Sequence, residues 1–404
     1  MQLNLAALTY DAFLPILILC KVNLLTPNTM LKKHLLVVLA IVAAIMTGCS
    51  GVTTPNETKA TNIEIGAIAP LQGENATLGI PMQQAAELAV ADVNESWKDS
   101  GMTFTINWEN GSCNGQDGSS AAQKLVNIDQ MEVILGLCSG EVLGAAPITE
   151  GADVVLFSPS ASSSEVTTAG EYVYRSWPSD KIQGERLAEL AYDLGYRSVA
   201  MLTEVTDYTE GVQRDFTTKF ESLGGVVYSE TYLPDATDFK TELTKLNNKN
   251  AEILFLNPQN TIKSDVILKQ LQELGIKGPF LLNDVAGTQA DLLSTYSDYL
   301  DGSYTATFAI DQDSKAVQEF TNRYVDMYGE EPQYLAYMAA YYDAVWILAN
   351  ALAEVGNNGD AVKNYLDNFP GYDGLTGHIS FDENGDLNGG HAVFMIVGGE
   401  LVMQ

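Results

Sequence analysis

Between Ile63 and Asp284, short apolar runs alternate with amphipathic stretches almost without a break, and that rhythm leaves few folds open. The run over 63–69 is apolar and β-branched and stops at Pro70. Residues 79–97 repeat Ala85, Leu88, Ala89 and Val93 at helical spacing, and 103–108 alternates with period two. A helix over 119–128, a buried strand over 133–137, a short helix over 142–151 and a strand over 154–157 follow. Strand–helix–strand units of this kind build a parallel sheet with right-handed crossovers. After a short strand at 172–177, closed by Pro178, the pattern starts again. It predicts helices over 180–194, 208–223, 239–246 and 260–274, with strands over 198–202, 226–232, 252–256 and 279–282. The expected class is α/β, as two parallel-sheet units. A strand over 302–308 and helices near 314–328, 334–355 and 361–369 come next, and 379–381 with 392–397 reads as a closing hairpin across 382–390. The aromatics crowded into 337–342 read as core or hinge packing.

In an open α/β sheet, ligands are held just beyond the carboxyl ends of the strands. Two strands of the first unit end there in small hydroxyl residues: Cys138-Ser139-Gly140 before a helix, and Ser158-Pro-Ser-Ala-Ser-Ser-Ser164. Hydroxyls and the free N–H groups of a helix start can grip an anion without any formal positive charge. In the second unit, Asp284 ends an apolar strand as an exposed carboxylate suited to a cationic group. Tyr208 opens a helix where it can lie against a ligand, and Gln259 and Asn260 follow the strand at 252–256. Each also has a plainer use, as a serine-rich loop, a helix N-cap or a packed aromatic. A serine hydrolase is disfavoured, because neither His378 nor His391 lies at these strand ends and no Gly-x-Ser-x-Gly elbow occurs. Asp382-x-Asn384-x-Asp386 starts like a calcium loop but lacks the glycine and the closing glutamate of one. It reads as a turn, and no metal is expected.

The start of the chain reads as an export signal. Met30-Leu-Lys-Lys-His is basic, 35–46 is apolar, and Thr47-Gly-Cys49 closes it. The apolar run is too short to span a bilayer. Met46-Thr-Gly-Cys49 resembles a lipobox, which makes Cys49 the expected lipidation site. On that reading 1–29 is a leader ahead of the natural start, 30–48 the signal peptide and 49–61 a polar linker. The protein would then sit outside the cytoplasm, anchored to the outer face of the cell membrane. A formal net charge of −31 makes nucleic acid and bare anionic membrane poor partners. With Cys20 and Cys49 set aside, Cys113 and Cys138 remain as a pair in a compartment that permits disulfides. Bridging that loop of roughly 26 residues contributes about 3 to 4 kcal/mol in the chain-entropy model. No Cys-x-x-Cys occurs, and neither zinc nor another cofactor is expected.

Taken together, several stretches resemble one family. They are Ile65-Gly-Ala-Ile-Ala-Pro70-Leu, Glu87-Leu-Ala-Val-Ala-Asp-Val-Asn94, Cys113 with Cys138-Ser139, Ser158-Pro-Ser-Ala-Ser162, Tyr174-Arg175, Ser179-Asp180 and Phe381-Asp-Glu-Asn-Gly-Asp386. The family is the type I periplasmic binding proteins of the branched-chain amino-acid group, the ligand-capturing components of ABC importers. The resemblance runs from about Ile63 to Val397. It implies two doubly wound parallel-sheet lobes joined by a three-crossover hinge, lobe one over 62–179 and 309–378, lobe two over 180–308 and 379–404. It also implies a Cys113–Cys138 disulfide. Ser139, Ser160 and Ser162, with the Ala161 backbone, would hold the ligand's α-carboxylate. Asp284 would face its α-ammonium, and Tyr208 would close over it. Gln259 and Asn260 lie near a position that is aromatic in branched-chain binders, and Leu78 replaces another such aromatic. The head group is thereby expected to be that of an amino acid or amide, with the side chain left open. The resemblance further implies a monomer that is not an enzyme. Its partners would be a small-molecule ligand, ABC permease subunits and the membrane through the lipid anchor. A lipid-anchored sensor signalling to a receptor is the alternative.

Overall fold

The structure, a computed structural model, describes residues 61–404. The leader, the signal segment and the expected lipidation site Cys49 lie outside the described residues. The first sheet and its flanking helices are β1 (Thr61–Ala69), α1 (Ala76–Ser96), β2 (Met102–Asn110), α2 (Gly115–Asn127), β3 (Val133–Gly136), α3 (Ser139–Glu150), β4 (Val155–Ser158) and β5 (Val173–Arg175). All its pairings are parallel, in the order β2-β1-β3-β4-β5. Alternation along the strands sends side chains to two cores. Ile65, Leu135 and Phe157 pack with α1, while Ile68, Ile134 and Leu156 pack with α2 and α3. Gly144 lets α2 and α3 touch, since a Cβ there would fall 2.1 Å from the Gly115 carbonyl oxygen.

The second sheet follows with α4 (Asp180–Asp193), β6 (Ser198–Glu204), α5 (Asp207–Ser222), β7 (Val226–Tyr232), α6 (Lys240–Asn247), β8 (Ile253–Asn257), α7 (Thr261–Glu273) and β9 (Phe280–Leu282). Three short helices, α8 (Asp284–Thr288), α9 (Ala290–Thr295) and α10 (Ser297–Leu300), lead to β10 (Tyr304–Phe308). The chain then returns to the first lobe through α11 (Lys315–Tyr328), α12 (Leu335–Val355) and α13 (Gly359–Asp367). Their Phe320, Tyr341, Leu348 and Leu366 join the core of the first sheet.

The end of the chain departs from the expected hairpin. The strands β11 (Tyr372–Gly374) and β12 (Gly377–Ile379) pair with each other, and β13 (His391–Val397) runs antiparallel to both β10 and β14 (Glu400–Met403). Ile379 and Leu387 are buried in the core of the first lobe, and Phe381 packs edge-on against Phe157 and Tyr174. The chain therefore joins the second sheet at His391, beyond the expected boundary at 379. The calcium-like loop is a brace. Asp382 accepts the N–H groups of Asn384 and Asp386, and the Asp386 carboxylate is taken by Arg175. Among the described residues no helix is long and apolar enough to cross a membrane.

Candidate ligand-binding site

Strand order reverses between β1 and β3 in one sheet and between β6 and β8 in the other. Such reversals open a crevice at the carboxyl ends of the strands. On the first lobe, Cys138 caps α3 and is disulfide-bonded to Cys113, with Cα atoms 5.0 Å apart. Glu141, one turn into α3, accepts the N–H groups of both Cys113 and Cys138 at 2.9 Å. Burial raises its carboxyl to about 7, against those hydrogen bonds. Bridge and carboxylate together fix the helix start, and Ser139 is its first residue rather than the residue before it.

The serine loop is held from behind. Arg175, fully buried, spans Asp386 on one side and donates to the carbonyls of Ser163, Ser162 and Ala161 on the other, at 2.8, 3.0 and 3.3 Å. In a trans peptide the N–H lies opposite the C=O, so pulling these carbonyls inward turns N–H groups toward the cleft. The N–H of Ser163 accordingly donates to Ser139 Oγ at 3.0 Å. Ser160 Oγ donates to the Leu137 carbonyl, and the Ala161 N–H is taken by Ser158 Oγ at 2.8 Å. Ala161 is thus a buried floor residue, its N–H already committed.

Opposite stands an acid that the sequence suggests is exposed but the fold buries. Asn283 caps α8 through the Ala286 N–H and ties its own amide to Asn257 and Pro258, which fixes Asp284 as the first helical residue. Asp284 receives the Tyr208 hydroxyl on one oxygen and the Tyr337 hydroxyl on the other, each at 2.5 Å. Both phenols are pushed well above their ordinary range, by burial first and by the Asp284 charge second. Tyr337 comes from α12 of the first lobe and stacks on Trp177 at 4.0 Å. Beside them Asp180, the first residue of α4, is fully buried. Neither of its oxygens has a hydrogen bond of ordinary geometry among the described residues, the Ser162 hydroxyl being the nearest help. Burial, then the charge of Asp284, push its carboxyl well up.

The cleft between these walls has a volume of about 40 Å³ and is lined by Ser139, Ser160, Ser162, Tyr208, Gln259 and Tyr337, with Leu78, Met82, Leu137, Cys138 and Val285. Of the expected residues, Asp284 stands behind its two tyrosines and Ala161 beneath the floor. Gln259 accepts the Thr206 hydroxyl and donates its N–H to the buried Glu204. Asn260 caps α7 and reaches across to Asn75 at 2.8 Å. Sequence reasoning missed Met82, Val285, Tyr337 and Asp180. A larger cavity, about 630 Å³, lies elsewhere, against β5 and the 382–385 turn.

The family model described as "Periplasmic binding protein" matches residues 62–400, and the chain belongs to that family. The Leu/Ile/Val-binding protein of Escherichia coli (strain K12) is 24% identical over 360 residues, 86% of this chain and 94% of the relative. A leucine-binding protein from Thermotoga maritima superposes with a TM-score of 0.75 at 24% identity, covering 85% of this chain and 97% of that one. A solute-binding protein of an R. palustris ABC transporter, in complex with benzoate, reaches 0.76 at 16% identity over 85% and 95%. At such identities the structural likeness speaks for the type I fold. Family membership makes this chain a solute-binding protein and not an enzyme.

Proposed function

We propose that the chain is the extracytoplasmic solute-binding component of an ABC importer. It captures an amino acid, branched-chain or related, or a related amide, by closing two lobes over it. One observation carries the reading. The serines at 139, 160 and 162 line a cleft whose far wall is backed by Asp284, with the fully buried Asp180, near the Ser162 hydroxyl, beside it. A floor of serine hydroxyls at a helix start suits a carboxylate, and the buried Asp284 carboxylate, with the Asp180 acid beside it, suits a cation. A zwitterionic head group brings both charges to the matching ends. Once water is excluded by hinge closure, the ammonium–carboxylate contacts and the charge-assisted bonds to the floor gain strength. A lipid at Cys49 would keep the protein at the outer membrane face, within reach of the permease subunits. The relatives support this in kind, two of them being named for leucine or for leucine, isoleucine and valine.

Thermal shift of the full chain against amino acids, small amides and aromatic acids tests the reading. Zwitterionic amino acids are expected to raise Tm in proportion to RT ln(1 + [L]/Kd), and Asp284→Ala is expected to abolish that response. Undiminished amino-acid binding by the variant, or a response only to acids without an ammonium such as benzoate, would sink it.

A further inference from the structure

The three crossovers between the lobes, 176–179, 309–314 and 388–390, converge on one buried polar set. Of the eight buried side-chain atoms without a hydrogen-bond partner among the described residues, seven belong to Ser176, Trp177, Asp180, Gln183 and His391. Protein interiors pair nearly all such groups, so their concentration at one place calls for a physical account. His391 is the first residue of β13 and stands directly opposite Phe308 at the end of β10. Opposed residues of an antiparallel pair send their side chains to the same face of a sheet. Here that is the face α4 covers, because Ala306 and Val393, the next pair on it, pack in the same core as Leu187. α4 turns Asp180 and Gln183 inward, one turn apart, and the Gln183 amide donates to the Ala306 carbonyl at 3.1 Å. From the first crossover Trp177 lies edge-on to Phe308 at 5.3 Å. The imidazole is thus packed where the crossovers meet, 5% exposed, with neither ring nitrogen bonded among the described residues.

Charge reaches the ring from both lobes. Asp284, of the second lobe and bonded to the Tyr208 and Tyr337 phenols, favours a proton on it. Arg175, of the first lobe and paired with Asp386, opposes one. Asp180 stands on α4 as an acid whose own proton burial retains, and β10 offers the uncharged Phe308. Burial outweighs both fields and lowers the imidazole to about 4 in the closed form. Parting the lobes bends the chain at these crossovers, where Gly389 and Gly390 directly precede His391. Water then enters beside the ring, whose ordinary pKa is about 6.5. We propose that His391 is a proton-operated latch of the hinge: neutral, it lets the crossovers pack and the lobes close, and protonated, it holds them open. Closing sheds a proton wherever the open form carries one, so mild acid opens the protein and releases its ligand. The latch rests on the reading above of two lobes closing over an amino acid and adds a control to it.

Calorimetric titration of the full chain and of its His391→Gln and His391→Asn variants with leucine and alanine, at pH 7 and pH 5, tests the latch. A ring that titrates at about 4 closed and about 6.5 open multiplies Kd by about twentyfold between those conditions. The rise in Kd is therefore expected to be larger in the parent than in either variant by about that factor, whatever Asp180 adds to all three. Small-angle scattering of the ligand-free proteins gives a second readout: the parent's radius of gyration is expected to grow at pH 5 and the variants' to stay. A parent Kd that rises less than about fivefold overturns the latch without the variants. A folded variant whose Kd rises as steeply as the parent's overturns it too, and in both cases the amino-acid reading survives. If neither amino acid binds any of the three proteins, that reading falls and scattering alone decides. A parent radius that does not grow, or that grows equally in the variants, then overturns the latch.

Discussion

Asp180 and Asp284 receive unequal treatment from the fold. Two phenols satisfy Asp284, while Asp180 sits at 0% exposure without a hydrogen bond of ordinary geometry. Leaving a buried polar group unpaired costs about 1–3 kcal/mol, and more for a charge. The ligand-free protein carries that cost, and on the proposed reading a ligand's ammonium would relieve it. Asp180→Asn, which removes the titrating group but leaves an uncharged polar one, is expected to stabilise the ligand-free protein near neutral pH, where Asp180 holds a proton that the unfolded chain has released, while weakening binding of α-ammonium ligands if the proposed reading holds. Urea titration read beside calorimetry checks both signs at once, and a variant that loses stability as well as affinity contradicts the account. The pH dependence has a definite sign. Because the folded pKa is raised, the native state keeps this proton where the unfolded chain has released it, so this contribution to stability is lost as pH rises above the ordinary aspartate range. Asp284 and Tyr208 are legible in the sequence because each stands just past an apolar strand. Asp180 follows Ser179 as any helix-starting acid does, and nothing local says that its carboxylate turns inward toward Ser162.

At the scale of elements, α3 is the piece that presents the floor, and its start rests on Glu141. That carboxyl, raised from the usual 4.5 to about 7 and wholly buried, is protonated in the native state across a window where the unfolded chain is ionised. Its stability contribution is complete below pH 4.5, falls through the window and is gone above about 7. The full loss amounts to about 3 kcal/mol by linkage. Glu141→Gln is expected to flatten the decline between pH 4.5 and 7 in urea melts; an equally steep decline in the variant would remove Glu141 as its source. Asp343, raised to about 6 by burial against hydrogen bonds from Thr376 and Leu375, adds a comparable slope over the lower part of the window and remains in both proteins. Most elements here are legible from period alone, since apolar spacing distinguishes β3 from α1. The failure at 379–397 is one of partners. An alternating run declares a strand without saying which edge it joins, and the register of His391 with Phe308 and of Ile379 with Tyr372 is set by packing far away in sequence. Tyr337 escaped for a related reason. Its helix is apolar nearly all round, which announces burial but not the carboxylate of the opposite lobe.

At the scale of the molecule, the lobes meet through polar contacts around the cleft rim. Asn260 donates to Asn75, Arg214 pairs with Glu165, Ser164 donates to Asp215, and Lys263 pairs with Glu74 at 2.9 Å. Of these, Arg214 with Glu165 is an exposed pair of small worth, while Asn260–Asn75 and Ser164–Asp215 are part-buried hydrogen bonds. Lys263 is different, because its side chain is 3% exposed and its ammonium also donates to the Ala236 carbonyl at 2.7 Å within its own lobe. In this structure it pairs with Glu74 from the other lobe, in addition to the longer-range field of Glu204 in its own lobe; opening the lobes separates Lys263 from Glu74 while letting water reach the cation. The pair should therefore bias the open–closed balance and leave the fold of each lobe alone. Glu74→Gln is expected to raise the radius of gyration of the ligand-free protein in small-angle scattering and to weaken ligand apparently, by less than about tenfold, through a smaller closed fraction. Saturating ligand should restore the parent's scattering curve, since the contacts inside the cleft are intact. Lys240→Gln, which breaks an exposed pair with Glu273 inside the second lobe, should move neither quantity. Equal effects of the two substitutions would mean that surface charge in general, and not this contact between lobes, governs closure.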